Sequence, residues 1–226
     1  MTMEPPASPD RFSGWCLEPE HWIAAQPEAL GPRLWRLPLL SAAGCTAVLA
    51  RIDAANAASQ APNSMHEHGI ELDGLGLGAL LDSLLERTCP LAAERLAPFG
   101  GAALDQRYGY LVHYARDADQ ELGFHVDDSE VTLNLCLEQE GSGAELVMLG
   151  ERCDLHRQEE PSPSETLEIE HEPGVAIVHL GVHRHRVEAI QRGRRRNLIL
   201  WCKNSSLRTG PQGRDPVPHG TWCPGS

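Results

Sequence analysis

Between Val131 and Leu137 apolar and polar side chains alternate without a break. Val131, Leu133, Leu135 and Leu137 fall on one face, Thr132, Asn134 and Cys136 on the other. A period of two is the signature of a β-strand, and a leucine-rich face opposite a polar one asks for a sheet with one side in the core. A second run precedes it, with Tyr108, Tyr110, Val112 and Tyr114 alternating against Gly109, Leu111 and His113. Directly before Val131 stands Gly123-Phe124-His125-Val126-Asp127-Asp128-Ser129-Glu130, which sets an imidazole and a carboxylate two residues apart at the mouth of the strand.

Upstream the grammar is helical. Ser41 offers an N-cap, and Cys45, Val48, Leu49 and Ile52 follow at the spacing of one helical face, which predicts a helix to about Ser59. Ala61 to Ser64 breaks it, and a glycine-rich lead-in opens a second helix with Leu80, Leu81, Leu84 and Leu85 inward. Pro90 is expected to interrupt that helix, with another turn or two over Leu91 to Leu96. Ala144 to Met148, Gly174 to Leu180 and Arg195 to Cys202 read as further strands. Helices first and short strands afterwards predict a mostly β fold, an antiparallel barrel or jelly roll braced by N-terminal helices. The expected division is an irregular arm over 1–37, packed through Trp15, Trp22 and Trp35, one domain over 38–208, and a loose tail over 209–226. Within the domain, helical support covers about 38–100 and the β core about 104–208. Residues 151–172 read as an acidic loop without a core pattern.

The 226 residues carry a net charge of −13, which disfavours general attraction to nucleic acid. No apolar run approaches the length of a membrane helix, and the first residues have no signal-peptide pattern. Seven cysteines without a CxxC pair read as reduced thiols in a cytoplasmic or otherwise reducing intracellular compartment. The charge is unevenly placed. Residues 138–172 hold eleven acids against two arginines, whereas 184–208 hold seven arginines and Lys203 against Glu188 alone. Two readings stay open: a solvated acidic loop beside a basic strand end, or a basic pocket for a dicarboxylate.

A lone His-x-Asp arises often by chance. Here it lies between strand-like segments, and His179, His183 and His185 follow about sixty residues on. Two neutral imidazoles and a carboxylate form the facial triad of non-haem Fe(II) oxygenases, which leaves positions open for cosubstrate and O2. His125 and Asp127 supply two ligands, and the three later histidines compete for the third place.

The segments GFHVDDSEVTLNLCL, GAELVMLGERC and PGVAIVHLGVHRHRVEAIQRGRRRNLILWC resemble Fe(II)/2-oxoglutarate dioxygenases of the prolyl/lysyl-hydroxylase (PKHD-type) group. They are most similar to the 2-oxoglutarate and iron-dependent oxygenase domain-containing proteins, over about residues 40–208. The resemblance implies a double-stranded β-helix, and it implies Fe(II), 2-oxoglutarate and O2 as reactants, with ascorbate a candidate reductant. In that group the distal iron histidine lies eight residues before a glycine and ten before a basic residue. Counting back from Gly193 and Arg195 selects His185 and leaves His179 and His183 in supporting roles. Arg195 is then implied to grip the remote carboxylate of 2-oxoglutarate, a task suited to a planar, always-charged fork. On a strand Arg195, Asn197, Ile199 and Trp201 share that face, and Arg194 and Arg196 point away. Asn134 falls where lysyl hydroxylases carry an asparagine that contacts the cosubstrate, and Tyr114 matches a pocket-lining tyrosine. Two positions depart from the group: Ala144 replaces the second glycine of a Gly-Gly turn, and Arg186 follows the distal histidine where glycine is common.

The implied reaction is hydroxylation of an aliphatic C–H on a prolyl or lysyl side chain, an amino acid or a small metabolite. A halogenase of this superfamily needs a small residue where Asp127 stands. AlkB-type nucleic-acid demethylases share triad and cosubstrate but carry a second arginine six residues after the first, where this chain has Trp201. A non-enzymatic cupin-like metal-binding or ligand-binding module is the alternative from a different class.

Overall fold

The computed structural model describes residues 14–55, 69–95, 104–208 and 222–223. Eleven strands form two antiparallel sheets among these residues. The strands are β1 (Glu28–Gly31), β2 (Leu34–Pro38), β3 (Ile70–Glu71), β4 (Gln106–Ala115), β5 (Leu122–His125), β6 (Val131–Gly143), β7 (Leu146–Glu151), β8 (Thr166–Ile169), β9 (Val175–Leu180), β10 (His183–Val187) and β11 (Ile190–Lys203). The major sheet runs β1-β2-β9-β6-β11-β4-β3 and the minor sheet β5-β10-β7-β8. Their facing surfaces enclose a cleft, the double-stranded β-helix expected from the alternating runs.

The alternation sorts two cores. Val131, Leu133, Leu135 and Leu137 of β6, with Leu198 and Leu200 of β11, bury against helices α1 (Ala42–Ala55) and α2 (Gly78–Arg95) on the outer side of the major sheet. Tyr110, Val112, Tyr114, Ile177 and Ile199 face inward and meet Leu146, Met148 and Val187 of the minor sheet. The polar face of β6, Thr132 and Asn134, is therefore turned into the cleft. Ser41 caps α1 as expected, its Oγ accepting from Gly44 N at 3.1 Å. Gly109 lets α2 approach β4 closely, because a Cβ there would lie 2.6 Å from the Leu81 side chain.

Three expectations are corrected. Residues 28–37, expected to be part of an irregular arm, form with Pro38 the hairpin of β1 and β2, and β2 pairs with β9. Leu34 buries toward the cleft while Trp35 and Leu37 bury toward the helices, so no alternation marked this strand. Helix α2 runs through Pro90, which is exposed like Glu86, the residue whose carbonyl loses its partner; water can satisfy that group. The acidic loop contains β8, an edge strand with only Ile169 buried. The strand end within the basic segment, residues 191–194, is exposed, and several of the segment's cations rest on acids. Arg194 pairs with Glu138 and Glu140, Arg196 with Glu138 and Asp53, Lys203 with Asp128, and Arg208 with Asp128 and Glu130.

Trp15, Trp22 and Trp35 pack on the core as expected. The end of the first helix beyond Ala55 lies outside the described residues, as does the tail over 209–226 apart from Trp222 and Cys223. No helix among the described residues is long and apolar enough to cross a membrane.

Candidate metal centre and cosubstrate cleft

Strands β5 and β10 pair antiparallel with His125 opposite His185, which brings their rings to 4.1 Å between centroids. Each imidazole is aimed by a backbone carbonyl. His125 Nδ1 lies 2.8 Å from Gly123 O, and His185 Nδ1 lies 2.9 Å from His183 O. A proton on Nδ1 for these bonds leaves the Nε2 lone pair free to ligate. Both Nε2 atoms lie 3.8 Å from the same oxygen, Asp127 Oδ1.

Asp127 is almost wholly buried and fixed from three sides. Its backbone N donates to Gly181 O at 3.0 Å, and a Cβ on Gly181 would overlap the Ser129 carbonyl, so this approach requires glycine. Its Oδ2 accepts from Thr132 Oγ1 at 2.6 Å, and Ser129 Oγ lies 2.7 Å from the same hydroxyl. Its Oδ1 is the oxygen turned toward the two histidines. Burial pushes the Asp127 pKa up, but His185, His179, His125 and the Thr132 hydrogen bond outweigh it, and the net direction is down. Burial, then the neighbouring His185, pushes His125 down to about 4, so its imidazole is neutral at pH 7. A charged carboxylate and neutral imidazoles are the ligating forms.

His179 and His183 take the supporting positions. His179 is fully buried, with Nδ1 on Leu180 O at 2.8 Å and Nε2 4.0 Å from Asp127 Oδ2, behind the carboxylate. His183 meets His179 edge to face and turns toward Glu151. His125, Asp127 and His185 alone of these offer donor atoms within 4.8 Å of one another.

Deeper in the cleft, β11 pairs with β4 so that Arg195 stands opposite Tyr114. The guanidinium is buried and makes no salt bridge among the described residues. Its Nε donates to Asn197 Oδ1 at 3.1 Å, Nη1 donates to Ala144 O, and Nη2 donates to His171 Nδ1 at 2.6 Å. Asn197 Nδ2 in turn donates to Asn134 Oδ1 at 2.7 Å. Asn134 and Tyr114 line the cleft with the triad, together with Tyr110, Thr132 and apolar Leu122, Val187 and Ile199. Trp201 shares the Arg195 face as expected but lies further along β11. It packs on Tyr108 and Tyr110 at 5.9 and 5.4 Å and meets the cleft through Tyr110.

His171 was not singled out from the sequence, where it sits among acids in a stretch without periodicity. Burial first, then the adjacent Arg195, pushes its pKa down to about 3. Its Nε2 lies 2.8 Å from Val175 O, which makes Nδ1 the acceptor for Arg195. A neutral acceptor holds the guanidinium without neutralising it. Ala144, the departure from the Gly-Gly turn, has φ +59°, a left-handed conformation that an L side chain adopts at a cost. Its carbonyl is one of the three acceptors for Arg195. Arg186, the other departure, is half-exposed and pairs with Glu188 at 2.7 Å.

This fold is that of the 2-oxoglutarate/Fe(II) oxygenases. A Pseudomonas putida prolyl-4-hydroxylase superimposes with a TM-score of 0.56, at 18% identity, over 76% of this chain and 92% of that one. No protein-family model matches. The chain is homologous to proteins named 2-oxoglutarate and iron-dependent oxygenase domain-containing proteins. It is 45% identical over 148 residues to the Arabidopsis thaliana member ICU11, covering 65% of this chain and 37% of that protein. It is 34% identical over 181 residues to the Mus musculus member, protein 2, covering 78% and 50%. The chain thus spans half the length, or less, of the curated relatives it matches.

Proposed function

We propose that this chain is an Fe(II)- and 2-oxoglutarate-dependent dioxygenase that hydroxylates an aliphatic C–H group. The observation that carries this reading is the convergence of His125 Nε2 and His185 Nε2 on one oxygen of Asp127. Two ligand bonds of about 2.1 Å can bridge donors no more than about 4.2 Å apart, so the 3.8 Å separations fit a single ion. The two-nitrogen, one-oxygen set suits Fe(II) and leaves positions for a chelating 2-oxo acid and O2.

The iron and 2-oxoglutarate, when bound, supply oxygen activation and hydrogen removal from substrate, with release of succinate and CO2. The protein supplies placement. Asp127 balances part of the metal charge, and Thr132 keeps its second oxygen turned away from the ligating position. Arg195 offers a buried cation with no competing carboxylate, the setting in which a remote carboxylate is gripped bidentately. Asn197 and Asn134 hold the fork in line with the triad. The apolar wall of Leu122, Val187 and Ile199 keeps water from the reacting centre.

The likeness to a prolyl-4-hydroxylase and a cleft lining without charged side chains outside the triad support a prolyl or lysyl side chain, an amino acid or a small metabolite as substrate. Trp201 at the position of the second AlkB arginine argues against a nucleic-acid substrate, as does the net charge of −13. None of the seven cysteines is disulfide-linked, which supports a reducing compartment. The test is succinate formation from 2-oxoglutarate by protein loaded anaerobically with Fe(II), with mass-spectrometric search of proteome extracts for products heavier by one oxygen. Full activity with zinc alone, or stoichiometric metal binding without any succinate, would overturn the assignment.

A further inference from the structure

A second group of ligating side chains lies outside the cleft. Cys153 follows β7, and the turn after it, closed by His156 N donating to Cys153 O at 3.0 Å, folds the imidazole back onto the thiol. His156 Nδ1 stands 3.1 Å from Cys153 Sγ. Cys223, 70 residues further along the chain, completes the group. Its Sγ lies 3.6 Å from Cys153 Sγ and 3.6 Å from His156 Nδ1, and it accepts the Cys153 backbone N–H at 3.4 Å. Both thiols are buried.

We propose that Cys153, His156 and Cys223 bind a thiophilic divalent cation, zinc by preference, which fastens Trp222 and Cys223 to the end of the minor sheet. The argument is geometric. A disulfide needs sulfurs about 2.05 Å apart. One tetrahedral zinc, about 2.3 Å from each sulfur and about 2.0–2.1 Å from a nitrogen, instead sets sulfur–sulfur near 3.8 Å and sulfur–nitrogen near 3.6 Å. The observed 3.6, 3.1 and 3.6 Å match the second pattern within about half an ångström. The amide pointing at Cys223 Sγ is the hydrogen bond that settles a metal-bound thiolate. Two thiolates and an imidazole favour zinc over the harder ions that suit the His2Asp cluster, so the two sites differ in preference.

The turn that carries two of the donors is held before any ion arrives. Arg152 forks onto Glu165 and reaches Glu159, while the fully buried Arg184 donates to the carbonyls of Gly150 and Leu149. The fastening has a consequence for the surface. Trp222, next to Cys223, walls a cavity of ≈ 440 Å³ with Arg33, Glu151, Arg152 and His183. His183 of β10 pairs with Glu151 of β7, which places the pair two residues before His185 on one strand and two before Cys153 on the other.

The test uses the full chain with Asp127→Ala, which disables the cleft site, purified without chelator and without added thiol. Elemental analysis is expected to find a full equivalent of zinc, falling to a trace in Cys153→Ser and Cys223→Ser and clearly reduced in His156→Ala. Because those variants can fold poorly, the otherwise unaltered chain is also exchanged with Co(II). A sulfur-to-cobalt charge-transfer band with tetrahedral visible bands is expected there. Zinc content unchanged by both serine substitutions would overturn the proposal. So would cobalt uptake without sulfur charge transfer, or a Cys153–Cys223 disulfide found by mass spectrometry in the protein as purified.

Discussion

The two ends of the cleft solve opposite problems by different means. At the metal end, donors must be left unsatisfied toward one point, and backbone carbonyls of Gly123 and His183 do this by occupying the far nitrogen of each imidazole. At the Arg195 end a cation must stay charged and unpaired, and neutral acceptors, the Ala144 carbonyl, Asn197 and His171, hold it without quenching it. The same strand shows the contrast within three residues. Arg194 and Arg196, on the other face of β11, each rest on carboxylates, whereas Arg195 rests on none among the described residues. A buried arginine without a carboxylate is costly to keep, which supports the proposal that a ligand anion is gripped there.

The largest effect is expected at the metal end. His125→Ala, Asp127→Ala and His185→Ala should each abolish Fe(II) binding and 2-oxoglutarate turnover with the fold retained by circular dichroism. His183→Ala should leave binding in place; the reverse pattern for 183 and 185 would assign the wrong histidine. Next comes the cation. Removing one partner of a buried pair costs roughly 3–5 kcal/mol, so Arg195→Leu should raise the KM for 2-oxoglutarate by at least about a hundredfold while iron binding survives. Arg195→Lys should fall between. Arg194→Leu and Arg196→Leu should change KM less than about threefold, since both side chains lie on the opposite face of β11 and pair with carboxylates there. Equal effects from all three leucine substitutions would dissolve the distinction between the two faces.

Smaller effects probe the supports. Thr132→Val removes the hydrogen bond to Asp127 Oδ2 and should weaken Fe(II) affinity by about 10–100-fold, read by metal titration, with KM for 2-oxoglutarate little changed. His171 gives a pH test. Its folded pKa, about 3, is depressed below the ordinary histidine value. The unfolded chain therefore takes up a proton as pH falls through about 6.5, while the folded chain stays neutral. The stabilisation is fully present above about pH 6.5 and is lost as pH falls toward 3. His171→Gln should lose about 2 kcal/mol less than the parent between pH 7.5 and pH 5, measured by urea unfolding, and an unchanged slope would count against a neutral buried imidazole. Ala144→Gly, which relieves the left-handed alanine, should stabilise the fold by about 1 kcal/mol and leave KM within about threefold.

Local pattern carried far in this chain. The alternation in β4, β6 and β11 is a property of the strand itself, so its two faces, and with them Asn134, Tyr114 and Arg195, could be assigned before any partner was known. His125 and Asp127 are two residues apart, and that spacing already places them at one strand mouth. The capped first helix was legible for the same reason, its cap and apolar face lying within one short stretch. Where burial falls on both faces, as in β2, or on almost none, as in β8, the period vanishes and the strand went unseen. Pro90 was read as a break because the sequence does not show that its lost hydrogen bond faces water.

From the residues alone, three histidines stood equal as the third ligand. What separates them is the antiparallel pairing of β10 with β5, which sets His185 opposite His125, whereas His179, on β9, lies behind the carboxylate and His183 turns toward Glu151. The acceptor role of His171 and the meeting of Cys153 and His156 with Cys223 likewise join segments distant in the chain. The amino-acid sequence by itself determined which side chains share a face, because that follows from backbone periodicity. Only the tertiary structure decided which faces meet, because that depends on sheet pairing and burial across dozens of residues, where no short-range pattern records the contact.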